Sequence, residues 1–278
     1  MATITPYEFV LKYRQLYVTN ESRSEAIADL PAVTTPQMIT SSIYLTKYFL
    51  MKWEEGSVQR NEFNLVTAKA SGGKSKDSQA AAKSANEWYA KHKENIMTAA
   101  MGKGAPEDYR LALEWAIRGG KIPNPNTSNV QDFCHKHLGL ECSGFATNYL
   151  VASGKREYSA ELLRNTNAVS YYNPAQAIND TAAMVQGDLL VWMNGAKAKT
   201  GPGHIAVVDT PPSSSEPKKM RICEATGHAH ARPHILGTWY DILDVTPKGN
   251  KHLSNKVMIL KVKRHGSSGD HVCVIRPS

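Results

Sequence analysis

Cys142 in "GLECSGFATNYL", His204 in "TGPGHIAVVDT" and Glu224 in "MRICEATG" are the side chains whose types and settings point to chemistry. Cys142 follows the turn-like "HLGLE" and opens a stretch in which Phe145, Tyr149 and Leu150 fit a helix ending at Gly154. That puts a thiol at a helix N-terminus, where backbone N–H groups and the helix dipole stabilise a thiolate. The same N–H groups can donate to an oxyanion, and Gly144 leaves room for a substrate backbone beside the sulfur. Taken alone, Cys142 has four readings: a buried apolar residue, half of a disulfide, a metal ligand or a nucleophile.

A nucleophilic cysteine needs a base, and the base needs a group that fixes its tautomer and orientation. His204 follows a Gly-Pro-Gly turn and opens an apolar strand, a place that packing alone does not explain. Glu224 is an acid inside another β segment, with His228, His230 and His234 as rivals for the orienting role. The bland alternatives are a strand-end histidine and a solvent-side glutamate. "HIAVVDT" and "KKMRICEAT" flank "PPSSSEP" and predict an antiparallel hairpin with a loop from Pro211 to Pro217. Paired positions in a hairpin keep a constant sum, so His204 opposite Glu224 implies Val208 opposite Met220. Both side chains then share one face.

The other cysteines offer less. "CHKH", with Cys134, His135 and His137, contains metal-ligand types without a second close pair of zinc-finger spacing. A Cys134–Cys142 disulfide is sterically conceivable, but synthesis in a reducing compartment opposes it. Cys223 and Cys273 lie in alternating β patterns and read, like Cys134, as small buried hydrophobes.

The elements that must position these residues change character along the chain. Helical periodicity and a Thr5-Pro6 start predict a helix through Phe9, Val10, Tyr13 and Leu16. The segment "TPQMITSSIYLTKYFLMKWEEG" predicts a second, with a stripe through Met38, Ile43, Leu45, Tyr48, Phe49 and Trp53. A polar Gly/Ser/Lys patch then leads into an Ala-rich helix, and "APEDYRLALEWAIRGG" reads as a short helix with a glycine stop. After the turn-rich "GGKIPNPNTSNV" come short β segments: "GDLLVWM", "HIAVVDT", "KMRICEAT", "KVMILKVKR" and "DHVCVIR". Helices followed by strands is an α+β pattern.

The chain has 278 residues, 41% hydrophobic and 21% charged, with a formal net charge of +8, an ordinary globular composition with a bias toward anionic partners. Its lysines and arginines are dispersed, and no zinc-finger or RNA-binding signature supports nucleic acid as the partner. No window of about 18 apolar residues suggests an integral membrane segment, and the start lacks the basic and apolar regions of a signal peptide.

In order and spacing, "LECSGFATNYL", "GDLLVW" and "GHIAVV" resemble the NlpC/p60 family of cell-wall cysteine peptidases. The related CHAP amidases share a Cys-His core and often use an acid as third residue. The resemblance covers roughly residues 125–245 and implies an α+β, papain-like NlpC/p60-type fold. In it, an antiparallel sheet packs against the nucleophile helix, with N-terminal helices in addition. Residues 1–104 are then a helical region and residues 105–278 the hydrolase domain. On the matching positions the resemblance implies Cys142 as nucleophile, His204 as general base and Glu224 as orienting residue. Glu141 stands where the family usually has aspartate, and Glu224 where histidine is commoner. Ser143 and Gly144 support the site; Asp188 caps or orients a turn and Trp192 lines the cleft, though either can equally be structural.

The resemblance also implies peptidoglycan as substrate, with no cofactor and no metal. A basic wall hydrolase without a leader resembles a phage lysin or, preferred here, a type VI secretion effector. Such an antibacterial toxin is made in the cytoplasm and delivered to the periplasm of a target bacterium, and an immunity protein restrains it. The same residues also fit another cysteine acyl-transfer enzyme (a deamidase, transglutaminase or lipid acyltransferase) or a non-catalytic binding module.

Overall fold

The computed structural model describes residues 4–20, 37–38, 42–48, 76–122, 124–201, 203–227, 233–252, 254–264 and 267–277. Thr5 opens the first helix, α1 (Pro6–Tyr13), as its Thr-Pro start predicts. Thr5 Oγ1 accepts the Glu8 N–H at 3.2 Å and Glu8 Oε2 accepts the Thr5 N–H at 2.8 Å, a reciprocal cap. The chain divides into two compact units: residues 12–140, and residues 1–11 together with 141–278.

The first unit contains α2 (Lys76–Ala100), α3 (Pro106–Arg118), α4 (Thr127–His137) and a minimal sheet of β1 (Thr19–Asn20) with β2 (Gln37–Met38). Asp108 closes the start of α3 by accepting the Ala105 N–H at 2.8 Å, and it takes Asn95 Nδ2 at 2.6 Å. The helix expected through Ile43 and Leu45 is not formed over residues 42–48. Ile43 and Leu16 instead exchange backbone hydrogen bonds of 2.9 and 3.0 Å. Ile43 and Leu45 are buried on either side of exposed Tyr44, the period-two pattern of extended chain. A β-branched residue that finds a backbone partner gains more extended than helical. Phe49 and Trp53, the end of that stripe, lie outside the described residues.

The second unit corrects the expected fold. It holds α5 (Cys142–Ala152) and α6 (Ala160–Asn165), then β3 (Ala177–Ile178), β4 (Leu189–Asn194), β5 (Lys197–Ala198), β6 (Ile205–Thr210), β7 (Lys219–Ala225), β8 (Ile235–Thr246), β9 (Ile259–Arg264) and β10 (Asp270–Ile275). Strands β4, β6, β7, β8, β9 and β10 pair antiparallel in that order, and β10 pairs back onto β4. The result is a closed six-stranded barrel with β3 and β5 as additions, not a papain-like sheet packed against the nucleophile helix.

The closure follows from apolar residues on both faces of the strands. Each barrel strand sends two alternate residues into one cluster: Leu190 and Trp192, Ala206 and Val208, Met220 and Ile222, Tyr240 and Ile242, Leu260 and Val262, Val272 and Val274. A single cluster fed by alternate positions of every strand is a barrel interior. The opposite face of β4, β6 and β7 is buried too, at Val191, Ile205, Val207 and Cys223. Helix α5 packs on β6 and β7 from that outer side. Phe145 of α5 meets Phe9 of α1 with ring centroids 5.8 Å apart.

Candidate active site

The end of the barrel formed by the start of β6 and the ends of β7 and β9 is polar. The alternation that places Ala206 and Val208 inside also aims His204 there, and the Met220–Ile222 pattern continues to Glu224. His204 Nε2 and Glu224 Oε2 are 2.5 Å apart, with Glu224 fully buried. His204 also shares a hydrogen bond with the Cys142 side chain, at the first residue of α5. With Nε2 held by Glu224, Nδ1 is the ring nitrogen that faces the thiol. Sulfur, imidazole and carboxylate thus lie in one line of hydrogen bonds.

The expected hairpin forms, in a register shifted by two residues. Val207 pairs with Cys223 and Val208 with Ile222, followed by an irregularity before Thr210. Continuing that register sets Glu224 opposite Ala206. An even shift keeps every side chain on its face, so His204 still reaches Glu224 on the diagonal.

Electrostatics favour charge on this line. Burial alone would push the His204 pKa down, but its bonds to Cys142 and Glu224 and their charges carry it up to about 9. Burial works to raise the Glu224 carboxyl, yet His204, Arg264 and Tyr240 together leave it below the ordinary carboxylate value. Tyr240 stays protonated, raised by burial and by Glu224, and its hydroxyl donates to Glu224 Oε1 at 2.7 Å. Burial pushes the Cys134 and Cys273 thiols up to about 12.

The supporting residues divide. Trp192 sets its ring edge-on to His204, with centroids 4.5 Å apart. Ser143 Oγ donates to Glu141 Oε1 at 2.7 Å, two buried side chains tied together in the first turn of α5. The Gly144 carbonyl accepts Asn148 Nδ2 at 2.8 Å. Asp188 is not part of this constellation. Its two oxygens take Arg276 Nε and Nη2, each at 3.0 Å, and Oδ2 accepts the Val185 N–H, which fixes the turn into β4.

The rival readings of the sequence find other partners. All four cysteines are free thiols. Cys134 Sγ donates to the Tyr44 carbonyl at 3.7 Å, and His135 Nδ1 lies 3.2 Å from Thr46 Oγ1. No three His, Cys, Asp or Glu side chains group as a metal site among the described residues. His234 gives its backbone carbonyl to the Thr226 N–H, while His228 and His230 lie outside the described residues.

Sequence reasoning missed Tyr240, Thr226 and Arg264. Arg264 Nη1 lies 3.2 and 3.0 Å from the two Glu224 oxygens and 3.0 Å from Thr226 Oγ1. The signal was parity: Arg264 continues Leu260 and Val262, and Tyr240 precedes Ile242 by two.

No family model matches this chain, and neither curated proteins nor solved structures gave a match. Among the described residues, no helix is long and apolar enough to cross a membrane.

Proposed function

We propose that this chain is a peptidoglycan hydrolase that cleaves an amide or peptide bond of the stem peptide through Cys142, His204 and Glu224, and acts as an antibacterial toxin. The observation that carries the chemistry is the His204 ring bridging the Cys142 side chain and the Glu224 carboxylate. The wall substrate rests on the three segments that resemble NlpC/p60 peptidases, and a net charge of +8 favours an anionic polymer. Delivery into a target periplasm and a protecting immunity protein belong to the same reading.

In this mechanism the Cys142 thiolate attacks the carbonyl carbon, forming the S–C bond and moving the C=O π pair onto oxygen. Backbone N–H groups in the first turn of α5, at Cys142 or Ser143, meet that oxyanion. Collapse breaks the C–N bond, and the leaving nitrogen takes the proton from the His204 imidazolium. Water then attacks the thioester and gives its proton to His204, and release of the acid restores the thiolate–imidazolium pair.

Purified sacculi incubated with the protein and analysed by mass spectrometry test the reading. Wild-type protein is expected to release or shorten muropeptides, and Cys142→Ala to release none. Intact sacculi after incubation with folded wild-type protein would overturn the wall substrate. If Cys142 still reacts rapidly with iodoacetamide at neutral pH, that result points instead to acyl transfer on another substrate.

A further inference from the structure

A buried arginine at the back of the candidate active site does more than balance charge. Arg264 ends β9, with its side chain 11% exposed, against the fully buried Glu224. Its Nη1 has two N–H bonds to share among four acceptors: both Glu224 oxygens, Thr226 Oγ1 and, at 3.4 Å, the Tyr240 hydroxyl. Arg264 Nε is buried and has no hydrogen-bond partner among the described residues. A buried ion pair with one donor unmet is a poor way to stabilise a barrel, because apolar side chains in place of both partners would fill the space at lower cost. The arrangement makes sense as control of Glu224.

Resting on the thiol-hydrolase reading, we propose that Arg264 is a positioning residue: its grip on both Glu224 oxygens holds Oε2 on the His204 ring. Four elements converge on Arg264. Glu224 comes from β7, Tyr240 from β8, Asp270 from the start of β10, and the Trp192 ring of β4 lies 5.9 Å from the guanidinium carbon. Glu224 is bonded to both Arg264 and His204. Tyr240 occupies the remaining direction of Oε1. The carboxylate therefore has no free rotation about its last bond.

Two consequences separate positioning from simple packing. The bond from Glu224 helps to keep the His204 pKa high, so releasing that carboxylate lowers it. Arg264→Met should therefore lower the His204 titration below its wild-type value near 9, by about one unit. Arg264→Lys keeps the charge, but on a flexible stem that does not hold a donor where the planar guanidinium sets Nη1 against both Glu224 oxygens. It should lower that titration by less, while lowering kcat about a hundredfold at unchanged KM, the size of effect expected from a misplaced base.

The experiment follows the His204 ring by NMR between pH 5 and 11, assigned with His204→Gln, alongside thermal melts and sacculus digestion. A downward shift in Arg264→Met with the kcat-only loss in Arg264→Lys is the expected result. An unmoved or raised His204 titration in folded Arg264→Met overturns the proposal, as does full wild-type kcat in Arg264→Lys, which decides alone if Arg264→Met does not fold. The titration needs no substrate, so the two ideas fail separately. A lowered titration with intact sacculi removes the wall reading and leaves the positioning role; cleaved sacculi with an unshifted titration do the reverse.

Discussion

At the scale of single residues, the site favours a proton on His204 and a negative charge on Glu224. The pH dependence of folding should record this. His204 is raised from about 6.5 to about 9 in the folded chain. Its contribution to stability is therefore fully present below about pH 6.5 and is lost as pH rises through about 9. Glu224 runs the other way: its folded pKa is depressed, so its share is present above about pH 4.3 and lost on further acidification. Thermal melts of wild type and His204→Gln between pH 6 and 10 check the first statement. The wild-type advantage should shrink as pH rises from about 6.5 through about 9, and a constant gap between the two proteins would count against a charged His204. Glu141 also finds a place at this scale. Its carboxylate holds the Ser143 hydroxyl in the turn that carries the nucleophile, a bond that residue types alone did not reveal.

At the scale of elements, the positions of the chemistry depend on how strands and helices begin. His204 lies just before β6, and the residue preceding it, Gly203, has no room for a side chain. A Cβ there would stand 2.5 Å from the Lys199 carbonyl oxygen, a backbone atom that can yield only if the loop moves. Gly203→Ala should therefore cost about 1–3 kcal/mol of stability, the range for overpacking, and displace His204 from Cys142. A folded Gly203→Ala protein with wild-type sacculus cleavage would refute this. Much of the element scale was legible in the sequence. The Thr-Pro start marked α1, Phe145 and Tyr149 marked α5, and alternation marked β4, β6, β7, β9 and β10. The register of the β6–β7 hairpin was not, because the irregularity between Val208 and Thr210 leaves no trace in an apolar run. Strand β8 also escaped: Trp239, Leu243 and Val245 are exposed on it, which blurs the contrast between its two faces.

At the scale of the whole chain, barrel closure was the feature that local patterns could not carry. "DHVCVIR" reads as one more strand with apolar positions, and nothing in it says that both its edges are used. The structure uses both: Val272, Cys273, Val274 and Ile275 pair with Trp192, Val191, Leu190 and Leu189, while Asp270, His271 and Val272 pair with β9. Beyond the strand, Arg276 closes the seam by gripping Asp188 at the entrance to β4 and the Ala183 carbonyl. Two changes of unequal severity follow. A chain ending at Gly269 loses Val272 and Val274 from the interior and leaves β4 and β9 with open edges. It should show no cooperative melt and should bind a dye for exposed apolar surface, with Cys142 no longer held against His204. Arg276→Met keeps all six strands but leaves the buried Asp188 carboxylate without its cation. Because the Arg276 side chain is 42% exposed, water can replace part of the lost bonding, so a cost of about 1–3 kcal/mol is expected. In a chain of this size that lowers the melting temperature by roughly 2–4 °C per kcal/mol, with the transition still cooperative. A cooperative melt from the truncated chain would mean that β10 is an accessory strand and that the site at the other end of β4 does not depend on closure.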